Sequence, residues 1–225
     1  MLVALIILAV VTLYGPHLWA RSILNRYNRE TYFSGNGFDL ARLLLNEMKL
    51  NAVGVEISPL GDHYDPAKKA VRLTNATCSR NTLTAVVVAA HEVGHALQDH
   101  DNYPPLAART RMIAAAARME RIGAGIMMVV PVLTLITRVP ATGVFMFAGG
   151  LATLGIPVII HLLTLPTEFN ASFKRALPIL VDGRYIPPED IPAARRILLA
   201  CALTYVANAL VGLLNVWRWV RILRR

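Results

Sequence analysis

The chain has 225 residues, enough for one domain and its attachments. It is 55% hydrophobic and 16% charged, and lysine plus arginine exceed aspartate plus glutamate by 23 to 14, a net +9. No aromatic-interleaved basic patch or nucleic-acid motif accompanies that excess, so it argues against a nucleic-acid partner and for cations flanking apolar segments. Cys78 and Cys201 lie far apart in unlike surroundings, which predicts neither a disulfide framework nor a redox pair.

The first segment, residues 1–20, holds no charged side chain. Its length suits a transmembrane helix of about 20 residues. A cleaved signal peptide would need a basic start and a small-residue cleavage site, and neither is clear. Arg21, Arg26 and Arg29 follow at once, which predicts a cytoplasmic location for the next region.

Residues 21–121 read as a small α+β domain. Leu40, Leu43, Leu44 and Met48 fall at helical spacing. "AVGVEIS" alternates like a strand, "SPLGDHYDP" reads as a connection, and "KAVRLT" as a second strand. That second strand is either an edge that pairs with an extended substrate or an ordinary core strand. "NATCSRNT" supplies turn and cap residues, and a helix is predicted from about Thr82 to about His100. Proline opens another helix at "PPLAARTRMIAAAARMER". Residues 122–165 then read as a transmembrane hairpin, 166–196 as a mixed polar segment, and 197–225 as an apolar helix with a basic tail. The fold expected is a mainly α membrane protein with about four apolar helices and a small zincin-like domain. It is expected as a multi-pass plasma-membrane protein with its site on the cytoplasmic side. The four arginines of the tail conflict with an outside C-terminus.

The chemistry sits in "VVVAAHEVGHALQDH". His91 and His95 lie one helical turn apart, about 40° around the axis, so both imidazoles face one point. Two neutral imidazoles suit zinc, and Glu92 beside them suits a general base for a water. Without a metal, three ionisable groups would be buried in an apolar helix unpartnered, which is costly.

A catalytic zinc site needs a third protein ligand and an open position. The extended HExxHxxGxxH pattern fails, because Gln98 and Asp101 stand at its glycine and last histidine. His100 falls on another helix face, and Glu120 and His161 are weaker candidates with ordinary helical roles. Glu168 ranks first, since it follows the returning hairpin arm. Asp182, in "LPILVDG", would be the ligand of a site-2-type intramembrane protease, but reads more readily as an Asp-Gly turn. Asp62, His63 and Asp65 cluster in "DHYDP", where a turn is favoured over a second metal site. Tyr205 is an unsupported candidate for stabilising an oxyanion.

In "DHYDPAKKAVRLT", "AAHEVGHALQ", "LPTEFNAS" and "LTYVANALVGLL", in that order, the chain closely resembles the YugP-like family of bacterial membrane zinc metallopeptidases, over nearly its whole length. It is similar in plan to the HtpX-like membrane peptidases. The resemblance implies an integral membrane zinc endopeptidase with His91, His95 and Glu168 as ligands and Glu92 as catalytic base. The cofactor implied is Zn2+, and the partners are a protein or peptide substrate and the lipid bilayer. Asn170 stands where the family commonly has aspartate, and Ser172 where HtpX-like enzymes usually do. No carboxylate that orients a ligand histidine is therefore assignable; Asp99 is the nearest substitute. The rival to an enzyme is a zinc-stabilised membrane scaffold, which would have no need of Glu92.

Overall fold

The architecture is built around one helix that is buried on nearly every side. A computed structural model describes residues 2–28, 35–115, 118–119, 136, 149, 159–160 and 162–213. Helix α4 (Leu83–His100) begins where Thr82 caps it, the Thr82 side chain accepting from the Ala85 N–H at 3.1 Å. Val87, Ala89, Ala90 and Val93 are fully enclosed, and so are its polar residues His91, Glu92 and His95. A helix this apolar all round forms the centre of a domain. The expected span from Thr82 to His100 is thus met.

Around α4 pack α2 (Gly37–Glu47), a three-stranded sheet and the C-terminal α8 (Ile191–Leu213). Helix α2 forms because Asn36 and Asp39 make a reciprocal capping box and Leu40, Leu44 and Leu45 share its buried face. Its first residue must be glycine, since a Cβ at Gly37 would lie 2.2 Å from the Thr77 carbonyl oxygen. Helix α1 (Leu2–Arg26) lies against α8. A short α3 (Asn75–Ser79), capped by Thr74, occupies what the sequence suggested as a turn.

The sheet runs in the order β1 (Gly54–Ile57), β3 (Ala70–Leu73), β2 (His63–Asp65). β1 lies parallel to β3, with Gly54 opposite Ala70, and β2 antiparallel, with His63 opposite Arg72. "KAVRLT" is therefore the central strand and has no free edge. Its sequence accounts for this: Ala70, Val71 and Leu73 are all buried, and Arg72 pairs with Glu56 on one neighbour and Asp65 on the other. β2 arises within the expected connection.

The expectation of four apolar membrane helices is corrected. Among the described residues, no helix is long and apolar enough to cross a membrane. Parts of both terminal helices pack in the domain core. The last turns of helix α1, beyond its uncharged first part, lend Ile23 and Leu24 to the domain core. Helix α8 carries Arg195 and Arg196 in its second turn and sets Ala194, Ile197 and Leu198 against the same core. Apolar composition at both ends thus partly reflects packing inside the domain. The hairpin expected at 122–165 lies almost wholly outside the described residues, as do Glu120, His161 and the basic tail.

Thr82 ties α4 to the chain before it, since its hydroxyl also donates to Asn28 Oδ1 at 2.9 Å. Thr82→Ala removes the cap and strands that acceptor. Chemical denaturation is expected to report a loss of about 1–2 kcal/mol relative to the parent protein.

Candidate metal centre

Position 168 is brought to α4 by a helical run that changes character midway. Helix α6 (162–169) passes into a π-helical segment (Asn170–Ala176) and then into α7 (Leu177–Asp182). The Leu177 N–H donates to the Ser172 carbonyl, five residues back. Pro178, next in line, has no N–H to continue the ordinary α ladder. Such wide turns gather at functional sites, because they let one helix press unusually close to another. Here the contact is at Gly94, inside the HExxH signature. A Cβ there would stand 2.7 Å from the Ala171 carbonyl oxygen, so only glycine allows the approach.

Three donors meet across that contact. Glu168 Oε2 lies 3.4 Å from His91 Nε2 and 3.1 Å from His95 Nε2. All three residues are buried, and their potential ligand atoms lie within 4.8 Å of one another. Burial alone would raise the Glu168 carboxyl. The two histidines and Arg109 outweigh it and hold the group well below the usual carboxylate range.

The outer face of each imidazole is already committed. Gln98 donates through its amide nitrogen to the Thr167 carbonyl at 2.8 Å and to Asn170 Oδ1 at 2.9 Å. Its Oε1 is thereby the acceptor that faces His95 Nδ1 at 2.9 Å, so Nδ1 carries the proton. Ser172 Oγ donates to the Leu198 carbonyl at 3.2 Å and so accepts from His91 Nδ1 at 3.0 Å. Both Nε2 atoms then aim lone pairs at the same carboxylate oxygen. Three acceptors converge, and only a cation between them makes that arrangement favourable. The separations of 3.1 and 3.4 Å bracket the edge of a tetrahedron with zinc bonds of about 2.0–2.1 Å, roughly 3.3–3.4 Å. The residues fit a zinc ion.

Glu92 stands beside this triad with Oε2 buried and without a hydrogen-bond partner. Burial pushes its carboxyl up to about 7; His91 pulls it down, and Asp62 and Glu168 push it further up. A cavity of about 640 Å³ opens onto His91, Glu92 and His95, with Leu24, Val88, Leu106 and Ile113 among its walls. Cys201 also lines it, but burial holds the thiol well above its usual range, so it stays a neutral wall.

The other candidates fall elsewhere. Asp182 is exposed at the end of α7, ahead of a Gly183–Arg184 turn in which Arg184 has φ 53°, and among the described residues it joins no ligand cluster. The Asp-Gly turn favoured for this stretch is what the chain forms. His100 is exposed. Asp99 is occupied by Tyr64 and Lys69 on the sheet side. Asp62 accepts from the Thr74 N–H, and Asp65 from the Ala67 and Lys68 N–H groups, so these carboxylates serve turns and, among the described residues, are grouped with no other ligand. The side chain of Tyr205 lies outside the described residues. Sequence reasoning missed Gln98 and Arg109. Gln98 was findable, since it sits three residues after His95 on the same helix face; nothing local flagged Arg109.

A family model described as "Putative neutral zinc metallopeptidase" matches residues 2–224. The chain belongs to that family. A Bacillus subtilis (strain 168) protein described as "Putative membrane protease YugP" is 33% identical over 225 residues, spanning 97% of this chain and 96% of the relative. No solved structure matches. Zinc is therefore both what the family takes and what the donor set accommodates.

Two substitutions test the supports of the site. Gln98→Leu removes the acceptor on His95 Nδ1 and is expected to weaken zinc binding about 10–100-fold in a competition titration with a chromophoric chelator. Gly94→Ala must push the 170–176 segment off α4 and is expected to cost about 1–3 kcal/mol in stability, with zinc content falling in parallel.

Proposed function

We propose that the protein is a membrane-associated zinc endopeptidase, with His91, His95 and Glu168 as metal ligands and Glu92 as the general base. The observation that carries this reading is the convergence of two imidazole lone pairs and one carboxylate oxygen beside a buried glutamate oxygen with no partner. A purely structural metal site has no use for that glutamate.

When bound, zinc supplies Lewis acidity, which makes a water more acidic and polarises the scissile carbonyl. The remaining steps belong to the chain. The cavity takes in a stretch of peptide, and its aliphatic walls displace bulk water from the scissile bond. The Glu92 carboxylate accepts the proton of the attacking water and then passes it to the leaving amine. Its buried setting favours the neutral acid enough to make that second transfer easy. Gln98 and Ser172 hold the two imidazoles in one tautomer, so neither ring must reorient during turnover.

Membrane association is supported by the description of the Bacillus relative and by the exposed apolar side chains Leu18 and Trp19 on α1 and Leu162 and Leu163 on α6. After cell disruption the protein is expected in the membrane pellet, and to stay there through a high-salt wash. Recovery in the supernatant would remove this part of the reading.

The catalytic assignment has a direct test with an unfolded protein such as casein as the probe. Glu92→Gln is expected to keep its zinc and to cleave about 10²–10⁴-fold more slowly. Cleavage at the parental rate would exclude Glu92 as base, and no cleavage by the zinc-loaded parent of any unfolded or membrane substrate would favour the scaffold. Glu168→Ala is expected to lose most of its zinc in elemental analysis, and full stoichiometry would remove Glu168 from the ligand set.

A further inference from the structure

The Glu168 carboxylate is divided between two partners. Oε2 faces both imidazoles, while Oε1 lies 2.9 Å from Arg109 Nη1. The contact is an ion pair by distance, with an angle short of a hydrogen bond. Arg109 comes from α5 (104–115), an element otherwise absent from the ligand set, and it is itself 9% exposed. Placing a guanidinium here desolvates it, and a buried cation is retained at such cost only against a close counter-charge. It also lines the same cavity as His91, Glu92 and His95, so it sits on the side where substrate enters.

A carboxylate ligand can offer zinc one oxygen or two. With both oxygens bound and the water kept, the ion is already five-coordinate, and the position into which the site expands for a substrate carbonyl is lost. We propose that Arg109 is a positioning residue. It engages Oε1, holds Glu168 to ligation through Oε2 alone, and so leaves the ion four-coordinate, with water beside Glu92 and the fifth position free for a substrate carbonyl. Arginine suits the task because its charge is permanent, so its pull on Oε1 does not depend on pH. The inference rests on the zinc reading above and goes beyond it, since it assigns coordination number to a residue outside the HExxH helix.

The test uses the full-length protein loaded with zinc or cobalt(II), with Arg109→Met and Arg109→Lys as variants. X-ray absorption of the zinc-loaded parent is expected to show four short nitrogen or oxygen ligands; five would overturn the proposal whether or not any variant folds. In the cobalt protein, Arg109→Met should shift the visible bands from the strong four-coordinate pattern to the weak five-coordinate one, with Arg109→Lys returning most of the parental pattern. Metal stoichiometry should stay at the parental level, and kcat for casein should fall about tenfold or more with KM little changed. An Arg109→Met protein with the parental cobalt spectrum would overturn this proposal alone. A parent that takes up neither zinc nor cobalt would overturn it together with the zinc reading.

Discussion

Three hydrogen-bond acceptors pointed at one another without a proton between them are the constraint on which the rest of the molecule depends. Two of them, His91 Nε2 and His95 Nε2, are fixed by bonds on the far side of each ring. The third, Glu168 Oε2, is delivered by a different helix. In a dry interior their mutual repulsion would drive the helices apart unless a cation sat between them. The surrounding architecture makes sense as the means of enforcing that meeting. Thr82 starts α4 where its histidines face inward, Gly94 lets the second helix in, and Ser172 and Gln98 bridge the two.

The partners of the histidines are neutral, a hydroxyl and an amide, where carboxylates are a common choice. An amide still fixes the tautomer, because its nitrogen is committed to two oxygens that can only accept, which leaves its oxygen for the His95 Nδ1–H. It adds no negative charge, however. Glu168 is further balanced by the permanent charge of Arg109. The centre is thus electron-poor by design of its surroundings, which favours polarisation of a bound carbonyl over tight retention of the metal.

Much of this was legible in the residues. The caps and apolar run of α4 fixed its ends, the spacing of His91 and His95 predicted a shared target, and the order of segments singled out Glu168. What remained hidden depended on contacts between distant parts. β2 has three residues set among aspartates that also stabilise turns, so local pattern favoured a loop. The central place of β3 depends on which strands flank it, and period-two alternation is silent about that. Arg109 resembles any helix-surface arginine until the fold lays it on Glu168. The apolar ends were overread, since a helix that packs inside a domain and one that crosses lipid draw on the same side chains.

Beyond His95, the Gln98 amide continues through Asn170 to Arg175 and ends on Asp101 at the close of α4. The site and the outer end of this chain therefore join the same two stretches of polypeptide. His95 and Glu168 are 73 positions apart, and closing a loop of that size costs several kcal/mol of chain entropy. The ion would act as a latch across that loop. Its binding free energy would add to that of the Gln98, Ser172 and Arg175 bonds that already close the seam at Gly94.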